Sequence, residues 1–228
     1  MPRTFANAMQ WMSRNRHLLL FLMLIATMAA GPLLSLTDSG GRVLNVALGL
    51  VLLMTTLLPM KDETTRRALM VVVAIAIVIG LAPIRTGLAE TGPITLALWS
   101  AIALFAAWRE LKYAVSSRNV DMHHLMAALN AYLLVGIFLG AIWLALWESL
   151  PGSLLQGGQP ITGMTLPDGI YFSFVTLATL GYGDITPETP LARGLATFEA
   201  VFGQLYLAVM VARIVSLRIA SEESNDAQ

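Results

Sequence analysis

Six long apolar segments constrain this chain more than any other feature of its sequence. They occupy residues 18–36, 43–60, 68–84, 93–108, 125–147 and 191–217. A helix of about 20 residues is needed to cross roughly 30 Å of hydrocarbon. Because lipid cannot satisfy backbone polar groups, a segment that crosses it is expected to be helical. The sequence therefore predicts an all-α integral membrane protein with six transmembrane helices, of which those at 68–84 and 93–108 are short.

Composition supports the bilayer as the solvent and excludes several classes of function. Hydrophobic residues make up 57% of the 228 residues and charged residues 12%, whereas an ordinary soluble domain has about 45–50% and about 25%. A soluble core of this size cannot bury that excess. Fourteen basic residues balance fourteen acidic ones, so no basic surface indicates a nucleic-acid partner. The absence of cysteine excludes disulfides and thiolate chemistry.

Lysine and arginine predict how the chain is oriented. If both termini are cytoplasmic, eleven basic residues lie inside and only Arg42, Arg85 and Arg193 lie outside. Basic residues are enriched on the cytoplasmic side of membrane proteins. We therefore expect a multi-pass protein of the cell inner (plasma) membrane with cytoplasmic termini. No small-residue cleavage site follows the first apolar segment, so that segment is expected to be retained.

The connection between the fifth and sixth segments, residues 148–190, is much longer than the others. Its first part is rich in glycine and proline and is predicted to be a loop. Its second part begins with helix-start signals, namely Thr165 as a cap, Pro167 in the first turn and Asp168 at the positive end of the dipole. About ten mostly apolar residues follow, too few to cross a membrane. A half-helix that enters from outside and returns is the expected form.

The half-helix is followed by the sequence TLGYGD at residues 179–184, which resembles the selectivity-filter sequence of potassium channels and which we therefore call the filter segment. A dehydrated potassium ion needs oxygens in place of its hydration shell, and backbone carbonyls can supply them. Carbonyls that all point one way require alternating backbone handedness, which Gly181 and Gly183 permit. The resemblance implies that K⁺ binds at Thr179, Leu180, Gly181 and Tyr182, with the Thr179 hydroxyl adding an oxygen. Tyr182 is expected to point away from the axis and hold the pore diameter.

The filter segment resembles the selectivity filter of potassium channels, T-V-G-Y-G-D, with Leu180 in place of the usual valine. The alternative is a glycine-rich turn, but a chance match has a probability on the order of one in ten thousand. The resemblance covers residues 125–217 and implies an outer helix, a pore helix, a filter and an inner helix. It implies a homotetramer in the lipid bilayer, because a closed carbonyl cage needs four filter strands. Potassium is then the permeant ion, and no cofactor is expected.

Several positions near the filter segment depart from the pattern of that family. Ala178 stands where a second threonine is common, and Val175 where certain bacterial channels carry a glutamate. Tyr171 and Phe172 occupy a pair of positions often held by tryptophans. Without an indole donor, Asp184 needs another partner, for which the Tyr171 hydroxyl is the candidate. We therefore assign Asp184, Tyr171, Phe172 and Val175 as residues that support the filter.

The last apolar segment contains candidate gating residues. Gly203 lies twenty residues after Gly183, where many potassium channels have a hinge glycine. Leu207, Val211 and Val215 recur every four residues and share one helix face. They are expected to form a hydrophobic constriction that gates by excluding water. Ordinary helix packing is the alternative explanation of this stripe.

Three ionisable residues lie at unusual positions. A charge at the depth of Glu199 costs at least ~2.5 kcal/mol unless it is paired, neutral or facing the protein. Glu199 is therefore either a structural acid, protonated or hydrogen-bonded behind the pore helix, or a residue that controls gating or inactivation. His123 and His124 are expected to be an interfacial polar pair, and the alternative is that they titrate near physiological pH.

The remaining residues limit what such a channel can respond to. The fourth segment, residues 93–108, has no arginine, so it cannot act as a voltage sensor. The tail at residues 218–228 is polar and short, so we expect no soluble regulatory domain in the chain. We divide the chain into a four-helix region at 1–108, an interfacial linker at 109–124, a pore module at 125–217 and the tail.

The predicted function is passive K⁺ conduction with little voltage dependence. Sequence motifs of hydrolases and nucleotide-binding enzymes are missing, so the chain is not expected to be an enzyme. Two alternatives remain from the sequence. One is a weakly selective monovalent cation channel. The other is a non-conducting membrane scaffold or regulatory subunit that retains the pore fold.

Overall fold

A computed structural model describes residues 15–34, 71, 93–116 and 121–226 of the chain. Their helices are α1 (Arg16–Leu34), α2 (Pro93–Ala114), α3 (Met122–Ser149), α4 (Leu166–Leu177) and α5 (Pro190–Asp226). Their strands are β1 (Leu154–Gln156), β2 (Gln159–Pro160) and β3 (Ile185–Pro187). The apolar segments predicted at 43–60 and 68–84 lie outside the described residues, apart from Val71.

Two compact units divide the described residues. The first contains α1, α2 and the beginning of α3 as far as Ala131, and the second begins at Tyr132 and contains everything after it. Helix α3 and the Pro190–Arg213 part of α5 are long and apolar enough to cross a membrane. They correspond to the fifth and sixth predicted segments. The Arg16–Ala30 part of α1 is a shorter apolar stretch, and the total of six spans remains a prediction.

Helix α3 begins with a side-chain cap from the residue before it. Asp121 Oδ1 accepts hydrogen bonds from the backbone N–H of His124 at 3.0 Å and from His124 Nδ1 at 2.6 Å. Such a cap satisfies one of the N–H groups that a helix start leaves unpaired. Burial raises the pKa of Asp121, but the bonds from His124 outweigh burial, so its pKa lies below the ordinary value.

The start of α4 follows the signals that the sequence contains. The Asp168 carboxylate accepts hydrogen bonds from the Thr165 backbone N–H at 2.8 Å and from the Thr165 hydroxyl at 2.6 Å. Pro167 lies in the first turn, where its missing N–H costs nothing. These contacts start the helix at Leu166, and it ends at Leu177 after 12 residues.

A small antiparallel ribbon occupies part of the region that was predicted to be loop. Strand β1 pairs with β2 on one side and with β3 on the other. Gly157 and Gly158 connect β1 to β2, and both have positive φ, 57° and 79°, as two-residue hairpin turns often require. Glycine content alone predicted a loop here because strands of two or three residues have no readable periodicity. Apart from this ribbon, the described elements are helices.

Glycines let α3 approach α4 closely. A Cβ at Gly140 would lie 2.6 Å from Ile170 Cα, and one at Gly169 would lie 2.4 Å from the Gly140 carbonyl oxygen. One turn earlier, a Cβ at Gly136 would lie 2.5 Å from the ring of Phe174. Two small residues four positions apart are a recurrent means of close helix packing in membranes. The close crossing of α3 and α4 therefore requires glycine at these positions, where any side chain would collide.

Gly203 has the same role between α5 and α4. A Cβ at this position would lie 2.1 Å from the Leu177 carbonyl oxygen, which is too close for any real contact. Helix α5 continues through Gly203 as far as Asp226. The prediction of Gly203 as a hinge stays a prediction, and the structure shows that a side chain at this position would collide with the end of α4.

We predict that Gly203→Ala destabilises the protein. The added methyl group has to displace backbone, and forced overpacking of this kind typically costs about 1–3 kcal/mol. Gly194→Ala is the matched control, because Gly194 lies in the same helix with open space around it. Thermal unfolding of the purified variants in detergent measures both effects. Equal unfolding temperatures for the two variants would contradict the packing role of Gly203.

Candidate functional site

The filter segment is attached to the last turn of α4 by backbone hydrogen bonds. The Val175 carbonyl accepts bonds from the N–H groups of Leu180 at 2.9 Å and Gly181 at 3.2 Å. The Thr176 carbonyl accepts one from the Thr179 N–H at 2.9 Å. Carbonyls in the last turn of a helix have no partner within the helix. The end of α4 therefore holds the start of the filter segment.

The backbone of the filter segment alternates in handedness. Thr179, Gly181 and Gly183 have positive φ values of 57°, 57° and 78°, and positive φ was predicted for the two glycines. A threonine in this conformation costs about 1–3 kcal/mol, and no pattern in the sequence indicated it. An alternation at every second residue points successive carbonyls toward one side of the strand. This is the geometry that a column of carbonyl ligands needs.

The chain turns back after α4. Ser173 contacts Glu199, and four residues later in both helices the Leu177 carbonyl meets Gly203. Contacts in this order mean that α4 and α5 run side by side in the same direction. Residues 178–189 must therefore return toward the end at which α4 begins.

The segment after the filter is held by the ribbon that precedes α4. Strand β3 pairs with β1, with Gln156 opposite Ile185. The Gly157 N–H also donates to the Asp184 carbonyl at 3.4 Å, and the Glu188 N–H donates to the Ser153 carbonyl at 2.9 Å. Both ends of the filter segment are therefore fixed by backbone bonds.

The structure brings together most of the residues predicted to support the filter. Tyr171 Oη donates to Asp184 Oδ2 at 2.7 Å, which is the hydrogen bond expected from the sequence. Phe172 and Val175 are buried. The ring of Phe172 meets the Trp143 indole edge-on, with 4.7 Å between centroids. Leu180 and Tyr182 are more than half exposed in the single chain.

Glu199 is fully buried between three helices. Trp143 Nε1 of α3 donates to Glu199 Oε2 at 2.6 Å. Ser173 Oγ of α4 lies 2.5 Å from Glu199 Oε1 and 2.8 Å from the Gly136 carbonyl oxygen. Buried polar groups are costly unless they are hydrogen-bonded, and this carboxyl group has a partner at each oxygen.

The hydrogen-bond network around Glu199 indicates whether its carboxyl group is protonated. The Ser173 hydroxyl has one proton but lies within hydrogen-bond distance of two acceptors. It cannot donate to both the Gly136 carbonyl and a Glu199 carboxylate. A proton on Glu199 Oε1 resolves this, because Glu199 then donates to Ser173 Oγ and Ser173 donates to Gly136. The geometry therefore favours the neutral acid.

Three residues of this site were missed by sequence reasoning. Trp143 and Ser173 are distant from Glu199 in sequence, and neither has a signal that would connect it to a buried acid. Gln204 Nε2 donates to Thr179 Oγ1 at 3.2 Å. A glutamine within an apolar helix and next to Gly203 was the available signal for that contact.

The other predicted residues are placed as follows. Leu207 is half-buried, and Val211 and Val215 are exposed in the single chain, so the predicted constriction remains a prediction. His124 pairs with Asp121, and the ring of His123 lies 6.4 Å from that of His17. Among the residues that the structure describes, no group of three or more His, Cys, Asp or Glu side chains can hold a metal ion.

Comparison with known proteins finds a similarity that covers most of the second unit. The sequence model of a family described as ion channel matches residues 130–218. A protein named two pore potassium channel c, from Oryza sativa subsp. japonica, is 31% identical over 100 residues, which are 44% of this chain and 20% of that protein. The chain thus spans about a fifth of the length of this relative. No solved structure matches the chain.

Two further relatives differ in type. The inward rectifier potassium channel Kirbac3.1 of Paramagnetospirillum magnetotacticum is 40% identical over 63 residues, which are 28% of this chain and 20% of that protein. The potassium voltage-gated channel subfamily A member 10 of Mus musculus is 42% identical over 52 residues, which are 23% of this chain and 10% of that protein. Residues 130–218 of this chain are thus similar to a family of ion channels, and parts of the chain are similar to several proteins named as potassium channels.

Proposed function

We propose that the chain forms a potassium-selective channel that conducts K⁺ passively through a homotetrameric pore. The observation that carries the proposal is the alternating handedness at Thr179, Gly181 and Gly183, directly after the end of α4. The named potassium channels to which the chain is similar support it. The proposed location is the plasma membrane, with both termini cytoplasmic.

Conduction in this proposal depends on backbone carbonyls. The carbonyls of residues 179–182 replace the hydration shell of K⁺, and the Thr179 hydroxyl adds an oxygen at one end. Four chains are needed because one filter segment supplies a quarter of each oxygen cage. The negative end of the α4 dipole, at Leu177, favours a cation beside it.

The surrounding contacts support the proposed filter mechanically. The hydrogen bond between Tyr171 and Asp184 ties the end of the segment to α4. Packing of Phe172 against Trp143 holds the other side of that helix against α3. In this proposal Gln204 faces the inner entrance of the filter, because it donates to Thr179.

The proposal includes little voltage dependence and a division into a pore module at 125–217 and a four-helix region at 1–108. The membrane potential acts on a helix through its charges, and moving one charge across the field is worth ~2.3 kcal/mol per 100 mV. Residues 93–108 have no arginine, so this segment offers no such charge. A weakly selective cation channel is the rival with the same fold. A silent scaffold is the second rival, but it has no need for two glycines with positive φ in the filter segment.

We predict that Gly181→Ala and Gly183→Ala each abolish selective flux, because a Cβ opposes the positive φ that both positions adopt. The measurement is K⁺, Rb⁺ and Na⁺ flux into liposomes that contain only this protein. Gly163→Ala is the control, since Gly163 lacks positive φ and has open space around it. Selective flux that survives in either filter variant would refute the filter assignment. Equal K⁺ and Na⁺ flux in the parent would favour the weakly selective channel, and no flux would favour the scaffold.

We predict different effects of two substitutions at Glu199. Glu199→Gln retains a donor toward Ser173 and an acceptor for Trp143, so stability and flux should stay near those of the parent. Glu199→Ala leaves the buried Trp143 N–H without its partner, a loss of about 1–3 kcal/mol. Thermal unfolding and flux as a function of pH measure both effects. If Glu199→Gln changes the pH dependence or inactivation while stability is unaffected, the charge of Glu199 is functional.

We predict that Val211→Asp raises basal K⁺ flux if Leu207, Val211 and Val215 form a dry constriction. A carboxylate in an apolar ring admits water, and the ring is a barrier only while water is excluded. Liposome flux measures the effect, and size-exclusion chromatography verifies that the variant assembles as the parent does. Unchanged flux in an assembled variant would remove the gate from this turn of α5.

A further inference from the structure

A cavity in the first unit carries an excess of positive charge that the proposed pore does not use. It has a volume of about 490 Å³ and is lined by side chains of α1, α2 and the turn after α2. The lining side chains that matter here are Arg16, His17, Trp108, Arg109, Lys112 and Tyr113. They combine cations with aromatic rings.

Glu110, the acidic residue among the described side chains of this cavity, already has hydrogen-bond partners. Glu110 Oε2 accepts hydrogen bonds from His17 Nδ1 at 2.8 Å and from Asn130 Nδ2 at 3.3 Å. Glu110, His17 and Asn130 are all buried. Among the described side chains that line the cavity, Arg16 and Lys112 carry two positive charges and Glu110 carries one negative charge, so together they attract anions.

Contacts with neighbouring side chains hold the Arg16 side chain in one orientation. Its Nε donates to His17 Nε2 at 3.0 Å, and its guanidinium carbon lies 5.3 Å from the centroid of the Tyr113 ring. His17 stacks on the same ring, with 4.3 Å between centroids. A guanidinium group with one N–H engaged retains four others for an oxyanion. Arg16 is thus oriented before any ligand arrives.

The position of the cavity along α1 and α2 indicates that it lies at the depth of the lipid headgroups. In α1, apolar residues begin directly after His17, and in α2 the apolar run ends at Trp108. The cavity therefore lies where both apolar runs end. Trp108 is 63% exposed, as aromatic residues at a membrane–water interface commonly are. Basic pockets between helices at this depth suit phosphate headgroups.

We propose that this cavity binds a phosphate group, with the headgroup of an anionic phospholipid or a free phosphate ion as its source. Arg16 and Lys112 supply the positive charge, and the exposed Trp108 ring lies beside them at the membrane–water interface. The proposal does not depend on ion conduction.

Trp108 provides the signal for a test on the full chain in neutral detergent. Its fluorescence is obtained as the difference between the parent and Trp108→Phe during titration with short-chain phosphatidylglycerol. We expect a saturable change that weakens with added salt. Arg16→Gln and Lys112→Gln should each weaken binding by about tenfold, the loss typical of one charge-assisted hydrogen bond. Arg193→Gln, which removes one charge from the first turn of α5 in the second unit, should leave binding unchanged.

Two further titrations distinguish the sources of the phosphate. A response to phosphatidylglycerol without a response to inorganic phosphate assigns the site to lipid, and a response to both assigns it to the phosphate group itself. Phosphatidylcholine should bind weakly. An equal response to phosphatidylcholine would overturn the proposal. Binding that is unchanged in both Lys112→Gln and a correctly folded Arg16→Gln would also overturn it.

Discussion

The second unit depends on a buried acid that joins three helices. Glu199 of α5 contacts Trp143 of α3 and Ser173 of α4, and the hydroxyl of Ser173 also reaches the α3 backbone at Gly136. Because an unpaired acid in this environment is costly, each helix is held in the position that supplies its partner. One turn further along, Gly203 lets the Leu177 carbonyl approach α5. These contacts set the direction of α4 and its position along α3 and α5. The filter segment follows directly after α4.

The filter segment is a strained backbone held at both ends. The positive φ of Thr179 is unfavourable for a β-branched residue. Hydrogen bonds from the last turn of α4 hold its beginning, and the β1–β3 pairing holds the residues that follow it. Strain of this kind persists only where the surroundings determine the conformation. The support from α4 and the ribbon explains how a short exposed segment keeps an ordered alternation.

The named relatives to which parts of this chain are similar differ in type. Their names include two-pore, inward-rectifier and voltage-gated potassium channels, and each is matched over a small part of its length. The buried Glu110 network and the basic cavity belong to the first unit, outside most of the matched residues. Regulation specific to this chain is therefore more readily sought in the first unit than in the pore.

The sequence by itself determined the membrane environment, the half-helix, the filter segment and the two glycines in it. Apolar length, helix-start residues and the need for positive φ are local properties, so they can be read without knowing the fold. The hydrogen bond between Tyr171 and Asp184 could also be predicted, because both residues lie close to the same short segment. Only the tertiary structure decided the partners of Glu199, the contact between Gln204 and Thr179, and the packing role of Gly203. These depend on which helix faces meet, and residues far apart in sequence leave no periodic signal of their contact.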